Sequence, residues 1–210
     1  STGNDFCSGA DVGRMSNAMA TPRPVGTTMW TMLGGAQRLI AAVLDCGKPV
    51  VAAVQGPAAG MGAHLALACD LIVMAEEAWL SQPFVLRGLA LDAAGAYLLP
   101  RRVGLQKAKE LAFLGDRLAA RDALALGMVN RVCAAEELAG AADELAGRLA
   151  AGATTAIGLS KRLLNASLDG DRQAAFLAEA MAQEINGKTE DVREGVAAFV
   201  EKRSVNFRGY

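Results

Sequence analysis

The chain has 210 residues, 52% of them apolar and 20% charged, enough hydrophobic mass for a sizeable core and too much for a disordered segment. Lys and Arg number 21 against 22 Asp and Glu, a net charge of -1, so the basic excess of a nucleic-acid footprint is missing. At about 150 residues per domain, the length fits one large domain or two small ones.

The chain opens on a Gly-rich turn, Gly3 to Gly9. Residues 13–28 show no period and hold two prolines, which predicts a surface loop. A helix is predicted from Met29 to Asp45, with Leu33, Leu39, Ile40, Val43 and Leu44 as its apolar face. Pro49 to Val54 reads as a buried strand closed by Gln55-Gly56-Pro57. A second Gly-rich turn through Gly60 and Gly62 then enters a small-residue helix. Leu71–Ala75 and Ala78–Gln82 read as further strands, and strands separated by helical pieces indicate parallel βα units. From about residue 92 the pattern turns helical: 105–114, 119–126, 134–151, 155–168, 174–185 and 189–202. Lys202 and Arg203 stand at the end of the last helix, where the helix dipole favours cations. One extended piece, Met128 to Val132, interrupts this half. The division is a strand-rich region over 1–140 and a helical region over 141–210.

Cys7, Cys46, Cys69 and Cys133 form no CxxC pair and lie in apolar or Gly-flanked runs, so they read as reduced, mostly buried thiols. With a single histidine and no ligand spacing, a zinc site has no support. No apolar run reaches the ~20 residues of a membrane span, since Asp70 interrupts Leu65–Met74.

The two Gly-rich turns carry the chemistry. A strand-to-helix turn with glycines exposes backbone N–H groups at a helix N-terminus, a place for a phosphate, a carboxylate or a developing oxyanion. A tight turn or close helix packing would use the same glycines. Neither turn is a Walker loop or a dinucleotide fingerprint.

In order along the chain stand Phe6-x-Ser-Gly-Ala-Asp11, Lys48-Pro-Val-x-Ala-Ala-Val-x-Gly56, Ala58-x-Gly-x-Gly62, Ala68-Cys-Asp70, Gln82-Pro83, Leu99-Pro-Arg-x-Val-Gly104 and Phe199-Val-Glu-Lys-Arg203. This series resembles the enoyl-CoA hydratase/isomerase family, the crotonase superfamily, over essentially the whole chain. The resemblance implies a crotonase-like ββα spiral with a helical C-terminal trimerisation region. It also implies short strands ahead of the first turn, which this sequence does not contain. The implied partner is an acyl-CoA thioester, with coenzyme A entering as part of the substrate and no other cofactor or metal. The implied assembly is a homotrimer or a dimer of trimers in the cytoplasm.

By the same resemblance, the amides of Ala10 and Met61 form an oxyanion hole for a thioester enolate, each donor contributing roughly 3 kcal/mol. Ser8, Gly9, Asp11, Gly60 and Gly62 line the substrate, and Lys202 approaches coenzyme A phosphates. Hydratases of the family place two glutamates where this chain has His64 and Phe84, so ordinary hydration is not expected. A third acid/base position falls on Asp92, in a run similar to the Pro-Asp-x-Gly-Gly-x-x-x-Leu-Pro-Arg of double-bond isomerases. Leu91, Ala94 and Ala96 depart from that run. An Asp at this place is equally a good helix N-cap. As a catalyst it would have a carboxyl raised by desolvation beside Phe84, serving as base and then acid. His64 is either a satisfied structural histidine or a second acid/base group. Two readings remain beside the isomerase: another crotonase reaction of hydratase or dehalogenase type, and an acyl-CoA-binding member without turnover.

Overall fold

The computed structural model describes residues 3–20 and 22–210. Thr21, inside the predicted loop, lies outside the described residues. The chain forms two compact units. One holds residues up to Leu44 together with Val51–Ala142; the other holds Asp45–Val50 together with Asp143–Tyr210.

In the first unit, helix α1 (Val12–Met19) occupies much of the stretch predicted as loop. Asp11 is the reason: its carboxylate accepts from Arg14 N at 3.1 Å and its carbonyl accepts from Met15 N, which satisfies amides that would otherwise be orphaned. Helix α2 (Thr27–Met32), a π-helical turn (Leu33–Gln37) and helix α3 (Arg38–Leu44) follow without a break. Of the apolar face expected here only Ile40 is buried, whereas Leu33 and Leu39 are 48% and 44% exposed. The wider π turn shifts the phase of the side chains, so an α period counted from Leu33 is out of register after Gln37.

Strand β1 (Val51–Val54) pairs in parallel with β3 (Leu71–Ala75), Val51 opposite Leu71 and Val54 opposite Met74; β3 pairs in parallel with β6 (Arg131–Cys133). As the central strand, β3 is buried from Ile72 through Ala75, which is why it reads as an unbroken apolar run. A second sheet joins β2 (Pro57–Ala59) in parallel to β4 (Trp79–Ser81), with β5 (Arg117–Ala119) antiparallel on the far edge of β4. The expected turn at Gln55-Gly56-Pro57 is thus only partly a turn, because Pro57 begins a strand. A proline is tolerated at that position, where no ladder N–H is needed. The extended piece expected from Met128 starts only at Arg131.

Helix α4 (Met61–Ala68) links β2 to β3. Helix α5 (Gly95–Leu114) contains Pro100 and a break at Gly104, where φ is 73°, so the stretch predicted from residue 105 is its second half and the helix start expected after Asp92 is its first. Helix α6 (Ala120–Ala125) precedes β6. Val54, Leu67, Ile72, Met74, Leu80 and Leu99 are at most 2% exposed, and each such side chain contributes roughly 1.5–3 kcal/mol.

Helix α7 (Leu138–Ala150) runs into the second unit, which holds α8 (Thr154–Ala166), α9 (Arg172–Asn186) and α10 (Glu190–Glu201). Asp171 and Thr189 cap the last two through Ala174 N and Val192 N. Lys202 and Arg203 stand at the C-terminus of α10, just past its last turn. Lys202 closes α10 in a left-handed conformation (φ 56°), and the Arg203 guanidinium turns back onto Glu194 at 2.6 and 2.8 Å. All four cysteines are thiols outside any disulfide, but only Cys69 is buried; Cys7, Cys46 and Cys133 are half-buried.

Candidate active site

The two Gly-rich turns meet along β2. Phe6 N and Cys7 N both donate to Pro57 O (3.2 and 3.1 Å), and Ala59 N donates to Cys7 O (3.0 Å). Such close approach requires glycines at particular places. A Cβ on Gly62 would overlap the Cys7 carbonyl, and one on Gly56 would overlap that of Asn4. Gly9 has φ 93°, and a Cβ there would stand 2.7 Å from Ala59 O and 3.6 Å from Met61 N. The geometry therefore sets the Gly9-Ala10 backbone against Gly60-Met61. Met61 is the first residue of α4, and Gly60 N is already used by Ser81 O at 3.0 Å. Among the described residues, nothing accepts from the amides of Ala10 or Met61. At the other end of α4, Arg102 Nη2 donates to Leu67 O (2.7 Å) and Cys69 O (3.2 Å), holding the helix and complementing its negative end.

Behind these amides lies His64, one turn into α4 and 0% exposed. Its Nε2 and the Gln82 side-chain oxygen are 2.6 Å apart, and with that oxygen as acceptor the imidazole donates from Nε2. Its ring stacks on Phe84, centroids 5.6 Å apart and planes 8° from parallel. The Phe84 ring in turn faces Gly60, whose Cβ would meet it at 3.5 Å. His64 Nδ1 is buried and has no hydrogen-bond partner. Burial pushes the imidazole below its ordinary value, partly offset by Gln82 and by the carbonyls of Ala93 and Asp92, so the ring is neutral at neutral pH.

Asp92 enters through a strained turn. Its carbonyl accepts from Gly95 N at 2.8 Å, while Ala93 (φ 45°) and Ala94 (φ 65°) are both left-handed. Such a conformation costs L-residues roughly 1–2 kcal/mol each. Helix α5 begins only at Gly95, with Ala94 at its N-cap and no side-chain cap. The N-cap reading of Asp92 is therefore overturned, because two left-handed residues separate its carboxylate from the first helical amide. Asp92 is half-buried, and desolvation pushes its carboxyl up from the ordinary Asp value. A Cβ on Gly95 would overlap the His64 ring at Cε1 and Nε2, so the second glycine of the isomerase-like run is present as Gly95. Ala96, expected as a departure, is exposed and its place asks for no glycine.

Ser8 and Ala10 are exposed at the mouth of the first turn. Asp11, expected to line substrate, caps α1 and pairs with Arg14 at 3.5 Å. Lys202 is an exposed residue of the second unit. Gln82, Gly95 and Arg102 were not singled out as site residues; Gln82 was visible only as half of the Gln-Pro pair.

Among the described residues no helix is long and apolar enough to cross a membrane. Comparison with known proteins gives a consistent answer. The profile described as enoyl-CoA hydratase/isomerase matches residues 1–210. The chain is 36% identical to the 1,2-epoxyphenylacetyl-CoA isomerase of Escherichia coli over 99% of its own length and 78% of that protein's. It is 37% identical to the crotonyl-CoA hydratase of Syntrophomonas wolfei over 96% of this chain and 75% of the relative. The crystal structure of an enoyl-CoA hydratase from Polaromonas superposes with a TM-score of 0.91 at 31% identity, covering 99% of this chain and 79% of that one. The fold is the crotonase fold, and the chain belongs to the enoyl-CoA hydratase/isomerase family.

Proposed function

We propose that the protein is an enoyl-CoA double-bond isomerase with Asp92 as its acid/base group. The observation that carries this is the pair His64 and Phe84, stacked on one another where the resemblance places the two hydratase glutamates. Neither side chain can hold a water as a carboxylate does, whereas Asp92 offers a carboxyl raised by desolvation in the turn packed on His64. Relatives of both kinds, an isomerase and a hydratase, have similar identity, so the residues favour the isomerase more than the names do.

Ionised Asp92 removes a proton from C2 of a 3-enoyl thioester. The electron pair delocalises into a dienolate whose oxygen accepts from the amides of Ala10 and Met61. The Asp92 carboxyl then returns the proton at C4, giving the conjugated 2-enoyl thioester. The proton count balances without a second group, so coenzyme A as part of the substrate is the only cofactor the scheme needs. Ser8 to Asp11 and Lys202 are proposed as thioester and coenzyme A contacts. Exposed apolar residues on the last helices, among them Phe176, Met181, Phe199 and Val200, support self-association as a homotrimer or a dimer of trimers. Free cysteines fit a reducing compartment such as the cytoplasm.

The test is a direct comparison of 3-enoyl-CoA isomerisation with 2-enoyl-CoA hydration, followed by absorbance of the conjugated thioester. Isomerisation without appreciable hydration is expected. Hydration at a comparable rate would overturn the reading, and tight binding of acyl-CoA with no turnover would favour the binding-only member.

A further inference from the structure

We infer that His64 is the positioning residue of Asp92, acting as a fixed plane on which the Asp92–Gly95 turn is seated. This rests on the isomerase reading for the meaning of Asp92, and on geometry for the rest. His64 is 0% exposed, so a substrate in the pocket does not touch its ring. The ring itself is held from two sides, by Gln82 at 2.6 Å and by the parallel face of Phe84. The Cα of Gly95 lies against its Cε1–Nε2 edge with no room for one more carbon. Gly95 N holds the Asp92 carbonyl at 2.8 Å, so the ring, Gly95 and Asp92 are linked in series.

The Asp92 carboxylate is not the N-cap of α5, and among the described residues no side chain hydrogen-bonds it. Its position is therefore inherited from its backbone. That backbone holds two alanines in the left-handed region, Ala93 fully buried beneath the turn. Strain of this kind persists only where the surroundings over-determine it. Without the imidazole the alanines are free to relax, and Asp92 moves with them. A displacement of about 1 Å at a reacting group costs on the order of a hundredfold in rate.

The experiment compares His64→Ala, which removes the plane, with His64→Gln, which keeps a flat polar group within reach of Gln82 and abolishes acid/base capacity. With 3-enoyl-CoA, His64→Ala is expected to lower kcat about a hundredfold with KM within about twofold, and His64→Gln to retain kcat within about tenfold. Crystal structures of both variants report whether the Asp92–Gly95 turn has shifted, independently of any assay. Adding Gly95→Ala supplies a reciprocal check. It should damage the wild type but be tolerated in the His64→Ala background, where its methyl group has space, a non-additivity that only direct contact produces. An unmoved turn and unchanged kcat in His64→Ala would overturn the inference, as would a His64→Gln variant with an intact turn and no turnover, which would make His64 an acid/base group. If the wild type isomerises nothing while the turn still relaxes in His64→Ala, the isomerase reading falls and the positioning role stands.

Discussion

The imidazole of His64 and the ring of Phe84 lie face to face at 5.6 Å, and the imidazole Nε2 stands 2.6 Å from the Gln82 side-chain oxygen. This arrangement sets an aromatic face and a neutral, buried imidazole where the resemblance places two carboxylates. Because burial lowers the His64 value below 6.5, the folded state takes up its proton later than the unfolded state does. His64 thus adds stability above pH 6.5 that is lost as pH falls below 6.5 toward the folded value. His64→Phe should flatten this part of the stability–pH curve, measured by denaturant unfolding between pH 7 and 5. An unchanged curve would mean that His64 is not buried neutral.

The approach of the first turn to α4 depends on Gly62, where a Cβ would meet the Cys7 carbonyl. Gly62→Ala should push residues 7–10 away from Met61 and separate the amides of Ala10 and Met61, the proposed oxyanion donors. Losing one such donor costs about a hundredfold to a thousandfold in kcat. Steady-state kinetics should show that loss, while circular dichroism shows the fold retained.

Ala94, at φ 65°, occupies a conformation that glycine adopts without the side-chain penalty. Ala94→Gly removes about 1–2 kcal/mol of strain and adds up to about 1 kcal/mol of unfolded-chain entropy. The expected net gain is about 0.5–1 kcal/mol, or a rise of about 2 °C in Tm for a chain of this size. A fall in Tm would show that Ala94 is not strained.

Glu194 is held at about 2 by the Arg203 guanidinium and the Asn206 amide. A depressed carboxyl stabilises the folded state above its unfolded value near 4.5, and that contribution disappears as pH falls from 4.5 toward 2. The protection of the Asn206 amide, its exchange rate relative to the intrinsic rate at each pH, should fall across this window. Glu194→Gln should show fast exchange already at neutral pH.

Much of this architecture was legible in the chain. The run Leu71–Ala75 could only be a strand buried on both faces, and the ordered glycines fixed where two turns approach. What could not be read has physical reasons. Asp11 was assigned to substrate because its capping bond to Arg14 N depends on local geometry that periodicity does not carry. Leu39 was placed in a core that the π turn rotates away from it. A helix cap stands as an alternative for Asp92 in the sequence because a sequence does not display the left-handed Ala93 and Ala94, which delay the helix to Gly95. Gln82 was passed over as a site residue because its partner, His64, is eighteen positions away and joined to it only by folding.

Everything chemical in this account converges on the Asp92 carboxyl, which Asp92→Asn replaces with an amide of nearly the same shape. The decisive measurement is the double-bond shift of a 3-enoyl-CoA deuterated at C2, with the label followed to C4 by mass spectrometry and wild type and Asp92→Asn compared at equal thioester binding. Wild type is expected to show the double-bond shift with label at C4, and Asp92→Asn a loss of at least a hundredfold in both, the size expected when a general base is removed. Equal label and equal isomerisation by the Asn variant would contradict this.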